Sequence, residues 1–115
     1  MTLQQFLNRL NDAPETIEFD ECMSVVDANY TFTPTAFENG DVSNAANENN
    51  GSCKVFAFAQ LNELSADQTL ACFGGYYRHD VLDHPDAQDH ANIRSFMKHG
   101  WVGIQFVEVP LVPVQ

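Results

Sequence analysis

The sequence predicts an α+β fold: a single compact domain over residues 1–115, mainly helical, with about five helices and a small antiparallel pair of strands. Apolar side chains recur every three or four residues in five segments, which is the spacing of amphipathic helices. Two further segments alternate between apolar and polar residues or between aromatic residues and threonine, a pattern typical of strands. A length of 115 residues with 44% hydrophobic content suits one domain with its own core.

The first two helices are predicted from capping and spacing. Thr2 and Gln5 have the form of a capping box, and Pro14 separates this first helix from the next element. The second helix is predicted over Phe19–Asn29, where one side is apolar at helical spacing and the opposite side is acidic.

A strand and a long loop are predicted next. Aromatic residues and threonine alternate from Tyr30, and Pro34 either confines the predicted strand, Tyr30–Phe37, to an edge or ends it. Residues 38–52 contain several asparagines and two Asn-Gly pairs, so the sequence predicts a loop there. A loop of that length in a small domain is usually functional or mobile.

Two helices follow this loop. Ser52 is the expected N-cap of the third helix, which is apolar on all sides and therefore belongs in the middle of the fold. Ser65 and Gln68 form a capping box for the fourth helix. The pair Gly74-Gly75 falls inside that helix, where we expect a kink or a close backbone approach.

The last helix and the second strand complete the prediction. Asp89 is the expected N-cap of the helix, and Gly100 lies just past its end. The inward residues of this helix are Ile93, Phe96 and Met97. Alternation predicts a strand over Trp101–Val109, paired with Tyr30–Phe37, and Pro110 and Pro113 are expected to end the regular structure.

The charge of the chain restricts its partners. The formal net charge is −11, with five basic and sixteen acidic residues, and nine acids but no base lie between Arg9 and Lys54. Such a chain cannot build the cationic surface that nucleic acid requires, and an anionic membrane would repel it. We therefore expect no nucleic acid and no membrane among its partners, and a basic protein surface as the complementary partner.

The cysteines and the first residues indicate the compartment. An odd count of three cysteines without a Cys-x-x-Cys pair favours reduced thiols over a disulfide framework or a structural zinc site. The N-terminus lacks the basic and apolar regions of a secretory signal peptide. The expected location is the cytoplasm.

Cys53 is a candidate nucleophile. It falls in the first turn of the third helix beside Lys54, and both the helix dipole and that cation favour a thiolate. The run Gly51-Ser52-Cys53 resembles the start of the catalytic helix of papain-type proteases, and His90 is a candidate base. The competing interpretation is that Cys53 is a small core residue, since free cysteine is among the most buried residue types.

A candidate metal site lies in the segment 79–90, which contains three histidines and four aspartates within twelve residues. In a helix, Asp80 and His84 would share one face, and imidazole and carboxylate ligands suit Zn, Mn or Fe(II). The candidate ligands are His84, Asp80 and His90. A solvated turn of acid–histidine pairs is the competing interpretation, and no cofactor other than such a divalent metal is expected.

A small pocket or a partner surface is a further possibility, since tyrosine and tryptophan contribute most to such surfaces. Its candidate residues are polar and aromatic and come from the loop, the Gly-Gly segment and the last strand. The candidate binding residues are Asn39, Asn49, Gly51, Tyr76, Tyr77, Arg78 and Trp101.

Four blocks of sequence, in this order, are specific enough to indicate a family. They are YTFTPTAFENG over residues 30–40, NNGSCKVFAFA over 49–59, TLACFGGYYRHDVL over 69–82 and HANIRSFMKHGW over 90–101. Together they resemble the HopJ type III effector family across nearly the whole chain. The resemblance implies a small bacterial protein, delivered through a type III secretion system if the family name applies, and it carries over no catalytic residues.

The sequence therefore favours a binding or interaction module of effector type with a protein partner. The first alternative is a small thiol-dependent enzyme that uses Cys53 with a histidine. The second is a metal-binding protein that uses the His/Asp segment. A common cavity lined by Asn49, Cys53, Tyr76 and His90 would be the most informative structural finding.

Overall fold

The computed structural model describes residues 1–114 and has an α+β fold, as predicted. Five α-helices follow one another along the chain: α1 Leu3–Asp12, α2 Phe19–Asn29, α3 Asn50–Leu61, α4 Ala66–Ala71 and α5 Ala91–His99. Three short helical segments lie between or after them: 3₁₀ turns at Pro14–Thr16 and Gly100–Gly103 and a π-helix at Tyr76–Val81. Within residues 1–114, no helix has the length and apolar character needed to cross a membrane.

Five short strands form two small antiparallel sheets. The strands are β1 Tyr30–Phe32, β2 Phe37–Asn39, β3 Val42–Asn44, β4 Ile104–Phe106 and β5 Leu111–Pro113. β1 pairs with β5, and the second sheet has the order β3-β2-β4. The two predicted strand segments do run antiparallel, but the predicted extent was wrong. Tyr30 lies opposite Pro113, past the predicted strand end at Val109, and Trp101 lies in a 3₁₀ turn.

The predicted loop over residues 38–52 is partly a β-hairpin. β2 and β3 are joined by a tight turn in which Gly40 has a φ of 57°. A side chain at Gly40 would collide with the ring of His99, only 2.2 Å from the position of a Cβ. The asparagines at 39 and 44 do not form turns, because they occupy the inward face of this hairpin and are buried.

The predicted helix caps were wrong at two positions. α3 begins three residues earlier than expected, with Asn49 rather than Ser52 as its N-cap, and α5 has His90 rather than Asp89 as its N-cap. The predicted fourth helix ends at Ala71, because Gly74 has a φ of 60° and the chain continues as the π-helix. Met97, expected to face inward, is 45% exposed.

The core is one cluster of buried side chains to which all five helices and the strands β1, β2, β4 and β5 contribute. α3 runs through its middle, with every side chain from Val55 to Ala59 buried, as its all-round apolar character predicted. Phe56 is fully buried and meets three other rings, with centroid distances of 5.0 Å to Phe96, 5.5 Å to Phe73 and 6.3 Å to Phe37. These contacts join α3 to α5, to the turn after α4 and to the hairpin.

Replacing Phe56 by Ala should lower the free energy of unfolding by about 3–5 kcal/mol, because the substitution removes a fully buried ring and leaves a cavity among three others. Urea denaturation followed by circular dichroism measures the loss. Val102→Ala is the control, since Val102 is 91% exposed and should change stability by less than about 0.5 kcal/mol. Equal losses in the two variants would contradict the central position of Phe56.

Candidate binding cleft at the amino ends of two helices

A cleft of about 330 Å³ opens where the N-termini of α3 and α5 meet. Its size is at the lower end of the range of small-ligand sites, roughly 300–1,000 Å³. The side chains and backbone that line it are those of Phe19, Val42, Asn49, Gly51, Ser52, Phe73, Tyr76, His90, Ala91, Asn92 and Ile93.

The two N-caps at the cleft share an unusual backbone conformation. Asn49 has a φ of 55° and His90 a φ of 51°, both in the left-handed region that asparagine and histidine tolerate better than most residues. Neither side chain accepts a hydrogen bond from the first turn of its own helix. The first-turn amides of α3 and α5 therefore lack the side-chain cap that usually satisfies one of them.

A network of buried asparagines holds the two N-termini against the hairpin. Asn92 of α5 and Asn44 of β3 pair through their amides in both directions, at 3.0 and 3.1 Å. Asn39 of β2 donates from Nδ2 to the backbone oxygen of Asn92 at 2.8 Å and to its Oδ1 at 3.1 Å. Asn49 donates to Oδ1 of Asn44 at 2.7 Å, which ties the start of α3 to the same group.

This network explains why polar side chains occupy an interior position. Asn39 is fully buried, and Asn44 and Asn92 are at most 5% exposed. Burial of an amide is costly unless it is hydrogen-bonded, and here one acceptor, Oδ1 of Asn92, receives two donors. Hydrogen-bonded asparagine side chains thus take the place of apolar packing where the hairpin meets α3 and α5.

One wall of the cleft is aromatic. The ring of Tyr76 lies 5.2 Å from that of Phe19, edge to face, and 5.2 Å from the imidazole of His90. Two glycines leave room for Phe19: a Cβ at Gly51 would come within 2.8 Å of its ring, and a Cβ at Gly74 within 2.6 Å of its backbone nitrogen. Larger residues at either glycine would displace this wall.

A second, shallower hollow of about 300 Å³ adjoins the cleft and shares Phe19 and Tyr76 with it. Its other lining residues are Glu18, Asp20, Gly75, His79 and Asp80. We call the two hollows together the furrow. Its second half is acidic, whereas the first half is formed by helix N-termini and aromatic rings.

His90 is positioned by carboxylates on the rim of the furrow. Its Nε2 lies 3.0 Å from an oxygen of Asp80 and 3.9 Å from an oxygen of Asp89. The pKa of Asp89 is held below its ordinary value, chiefly by the hydrogen bond from Arg94. Arg94 therefore keeps Asp89 ionised, and Asp80 is the carboxylate that orients the imidazole.

The structure brings together four of the predicted site residues and separates the others. Asn49, Gly51, Tyr76 and His90 all line the cleft. Asn39 lies behind it in the amide network, and Trp101 packs edge-on against Phe96 at 5.0 Å. The other two predicted binding residues lie away from the cleft, at a separate hollow between α4 and the first 3₁₀ turn, and these are Tyr77 and Arg78.

Cys53 does not reach the cleft. Its side chain is 1% exposed, in contact with the core, and burial raises the pKa of its thiol to about 11. The helix dipole and Lys54 were expected to favour the thiolate, but Nζ of Lys54 lies 2.9 Å from Asp27 instead. This environment fits the core interpretation of Cys53, and Ser52 is the residue of that turn that lines the cleft.

The predicted metal ligands do not gather. Asp80 and His90 meet, but His84 does not join them, and residues 1–114 contain no group of three or more His, Cys, Asp or Glu side chains placed to hold a metal ion. His79 and Asp83 form an exposed pair at 3.7 Å instead. The segment 79–90 thus matches the interpretation as a turn of acid–histidine pairs.

Sequence reasoning missed several residues of the furrow. Phe19 and Phe73 fell within predicted helices, and helical spacing does not distinguish a side chain that packs in the core from one that lines a cleft. Asn92 carried a signal, since an asparagine stands among apolar residues on the inward side of the last helix. Asp20 was assigned to the acidic side of the second helix, and only the tertiary fold shows that Tyr76 and Asp80 lie beside it.

Replacing Asn92 by Ala should destabilise the protein by about 2–3 kcal/mol, because the amides of Asn39 and Asn44 lose their shared acceptor while staying buried. Chemical denaturation measures this loss. Asn8→Ala is the matched control on an exposed part of α1, and it should change stability by less than about 0.5 kcal/mol. A neutral Asn92→Ala variant would contradict the role of the network.

Cys53 in the folded protein should resist thiol reagents. At pH 8 a thiol with a pKa of about 11 is ionised in roughly one molecule in a thousand, against about one in four for an ordinary cysteine. Alkylation with peptide mapping should show slow labelling of Cys53 in the native protein and fast labelling in urea. Rapid native labelling at neutral pH would support the thiol-enzyme alternative instead.

The chain matches the family model described as HopJ type III effector protein over residues 3–111. The crystal structure of VPA0580, described as a protein of unknown function, superimposes with a TM-score of 0.98 at 58% sequence identity, over 99% of this chain and 95% of that one. Comparison with curated proteins gives no significant match. The resemblance inferred from the four sequence blocks is confirmed, and the chain belongs to the HopJ type III effector protein family.

Proposed function

We propose that the protein is a binding module that recognises an arginine side chain of a basic partner protein in the furrow. The observation that carries this proposal is the position of Tyr76. Its ring is shared by both hollows and is 45% exposed, and carboxylates stand beside it on the acidic side. An exposed aromatic ring next to carboxylates is suited to a cation, because the ring face and the negative charges attract it together.

The acidic half of the furrow contains carboxylates that no arginine or lysine neutralises. Asp20 forms no ion pair within residues 1–114. Glu18 is partly compensated by Arg78 at 3.3 Å. Asp80 is paired only with His90, which carries a charge only when it is protonated. A guanidinium that entered this hollow would therefore find two carboxylates, Asp20 and Asp80, without a permanent cation.

Arginine fits better than lysine for geometrical reasons. A planar guanidinium stacks on an aromatic ring while its edge donates to carboxylates in a fork, whereas an ammonium is a compact point charge that is more strongly hydrated. The hollow beside Tyr76 brings this partly exposed ring and carboxylates together in one space of about 300 Å³. The helix N-termini in the other half remain for hydrogen-bond acceptors of the same partner segment, such as its backbone carbonyls.

The overall charge supports the same kind of partner at long range. A net charge of −11 on 115 residues attracts a basic protein surface and speeds its encounter. Salt weakens this attraction, since the Debye length falls to about 8 Å at physiological ionic strength. The thiol-enzyme and metal-binding alternatives have less support, because Cys53 is buried and His84 stands apart from Asp80 and His90.

The test is a titration of the labelled protein with the blocked peptide acetyl-Gly-Arg-Gly-amide, followed by NMR. Chemical shift changes should concentrate on Phe19, Asp20, Tyr76, Asp80 and His90, and the affinity should fall as salt is added. Tyr76→Leu should weaken binding about threefold to fivefold, since it keeps an apolar side chain but removes the ring face.

The matched charge controls are Asp20→Asn within the furrow and Asp86→Asn in the exposed turn before α5. Both remove one negative charge, so long-range attraction changes equally, and only Asp20→Asn should weaken binding beyond that common effect. A peptide with lysine in place of arginine should bind more weakly. Shift changes spread over the whole acidic surface, or equal effects of the two substitutions, would contradict a specific site.

A further inference from the structure

The two glycines between α4 and the π-helix differ in their structural roles. Gly74 is buried and has to be a glycine, since its φ is 60° and a Cβ there would lie 2.6 Å from the backbone nitrogen of Phe19. Gly75 has a φ of −62° and a ψ of −26°, which is ordinary right-handed helical backbone. The bend and the close backbone approach expected of the pair therefore belong to Gly74 alone.

The space around Gly75 does not require a glycine either. Within residues 1–114, and apart from its chain neighbours and the backbone of its own helix, a Cβ at Gly75 would come within 4 Å of one atom only, Cδ2 of His79. The distance of 3.5 Å is an ordinary van der Waals contact, and the side chain of His79 is exposed and has room to move. Alanine would therefore fit at position 75 without displacing another residue.

A glycine in helical backbone lowers the stability of a fold. The unfolded chain is freer at glycine than at alanine, so more conformational entropy is lost on folding. At Gly75 neither the backbone angles nor the surrounding atoms require this cost. The reason for the glycine therefore lies outside the helix, in the space that the missing side chain leaves open.

That space is the acidic half of the furrow. Gly75 is half-buried and lines this hollow together with Tyr76, Asp20 and Asp80. The residue that a Cβ would meet, His79, lines the hollow as well. A side chain at position 75 would therefore extend into the hollow and occupy space between the aromatic ring and the carboxylates.

We propose that Gly75 makes the acidic hollow wide enough for a guanidinium and so sets the preference of the furrow for arginine. This inference rests on the proposed function, because it assigns Gly75 a role in admitting the same side chain. A guanidinium is planar and wider than an ammonium, and it needs room to lie along the ring of Tyr76 while its edge reaches the carboxylates. Each carbon atom added at position 75 reduces that room.

The first measurement is thermal unfolding of the full chain, for the wild type and for Gly75→Ala and Gly75→Leu. Gly75→Ala should raise the melting temperature by about 2–5 °C, because alanine loses less conformational entropy on folding than glycine does. Gly75→Leu should melt no lower than the wild type, since leucine is also a good helix former. A lower melting temperature for Gly75→Ala would show that the fold itself needs the glycine and would overturn the proposal.

The second measurement is the affinity for acetyl-Gly-Arg-Gly-amide and for the same peptide with lysine, by NMR titration. Gly75→Ala should weaken binding of the arginine peptide about threefold to tenfold, and Gly75→Leu at least about 30-fold, although neither variant is less stable. The lysine peptide should lose less affinity in both variants, because its ammonium is more compact than a guanidinium. Lower affinity without lower stability is the result that a purely structural role could not give.

Asn8→Leu is the control, since it adds a leucine at an exposed position of α1 outside the furrow and should leave both affinities unchanged. A wild-type protein that binds neither peptide would refute the proposed function and the role of Gly75 with it. Wild-type binding that both Gly75 variants retain in full would refute the role of Gly75 alone. Equal losses for the two peptides would contradict it too, because the size of the head group would then make no difference.

Discussion

The arrangement of the cleft depends on the side-chain amide of Asn92. It sits at the start of α5, exchanges hydrogen bonds with Asn44 in both directions and accepts another from Asn39. Through Asn44 the same group reaches Asn49, the N-cap of α3. Two helices and one hairpin, distant in sequence, are thus held by one set of directional bonds, and directional bonds fix positions more strictly than apolar contacts do.

This constraint decides what the cleft is made of. The amides bring the first turns of α3 and α5 together, and at both of them the N-cap is left-handed and the first-turn amides have no side-chain cap. Tyr76 completes the wall from the π-helix, against Phe19 and His90. One half of the furrow is acidic because Glu18, Asp20 and Asp80 line it, whereas the segment after Gly100 has one charged residue.

Much of the fold could be predicted from the sequence. Helical spacing and the capping boxes at Thr2 and Ser65 identified α1 and α4, because these signals are local and their residues lie within one turn. The errors arose where one local sequence pattern is compatible with two different structures. Asparagine favours turns, yet Asn39 and Asn44 donate their side-chain N–H groups to a residue of a helix 48 or more positions away, which no local signal reveals.

The sequence by itself determined the family, the α+β class, the central position of α3 and the acidic character of the chain, since these follow from composition, spacing and order of residues. Only the tertiary structure decided which candidate residues share a site. It placed Asn49, Gly51, Tyr76 and His90 around one cleft and turned Cys53 into the core one residue after Ser52. On a helix, successive residues point about 100° apart, so neighbours in sequence face different surroundings, and only the packing of the whole chain settles which of them meets the cleft.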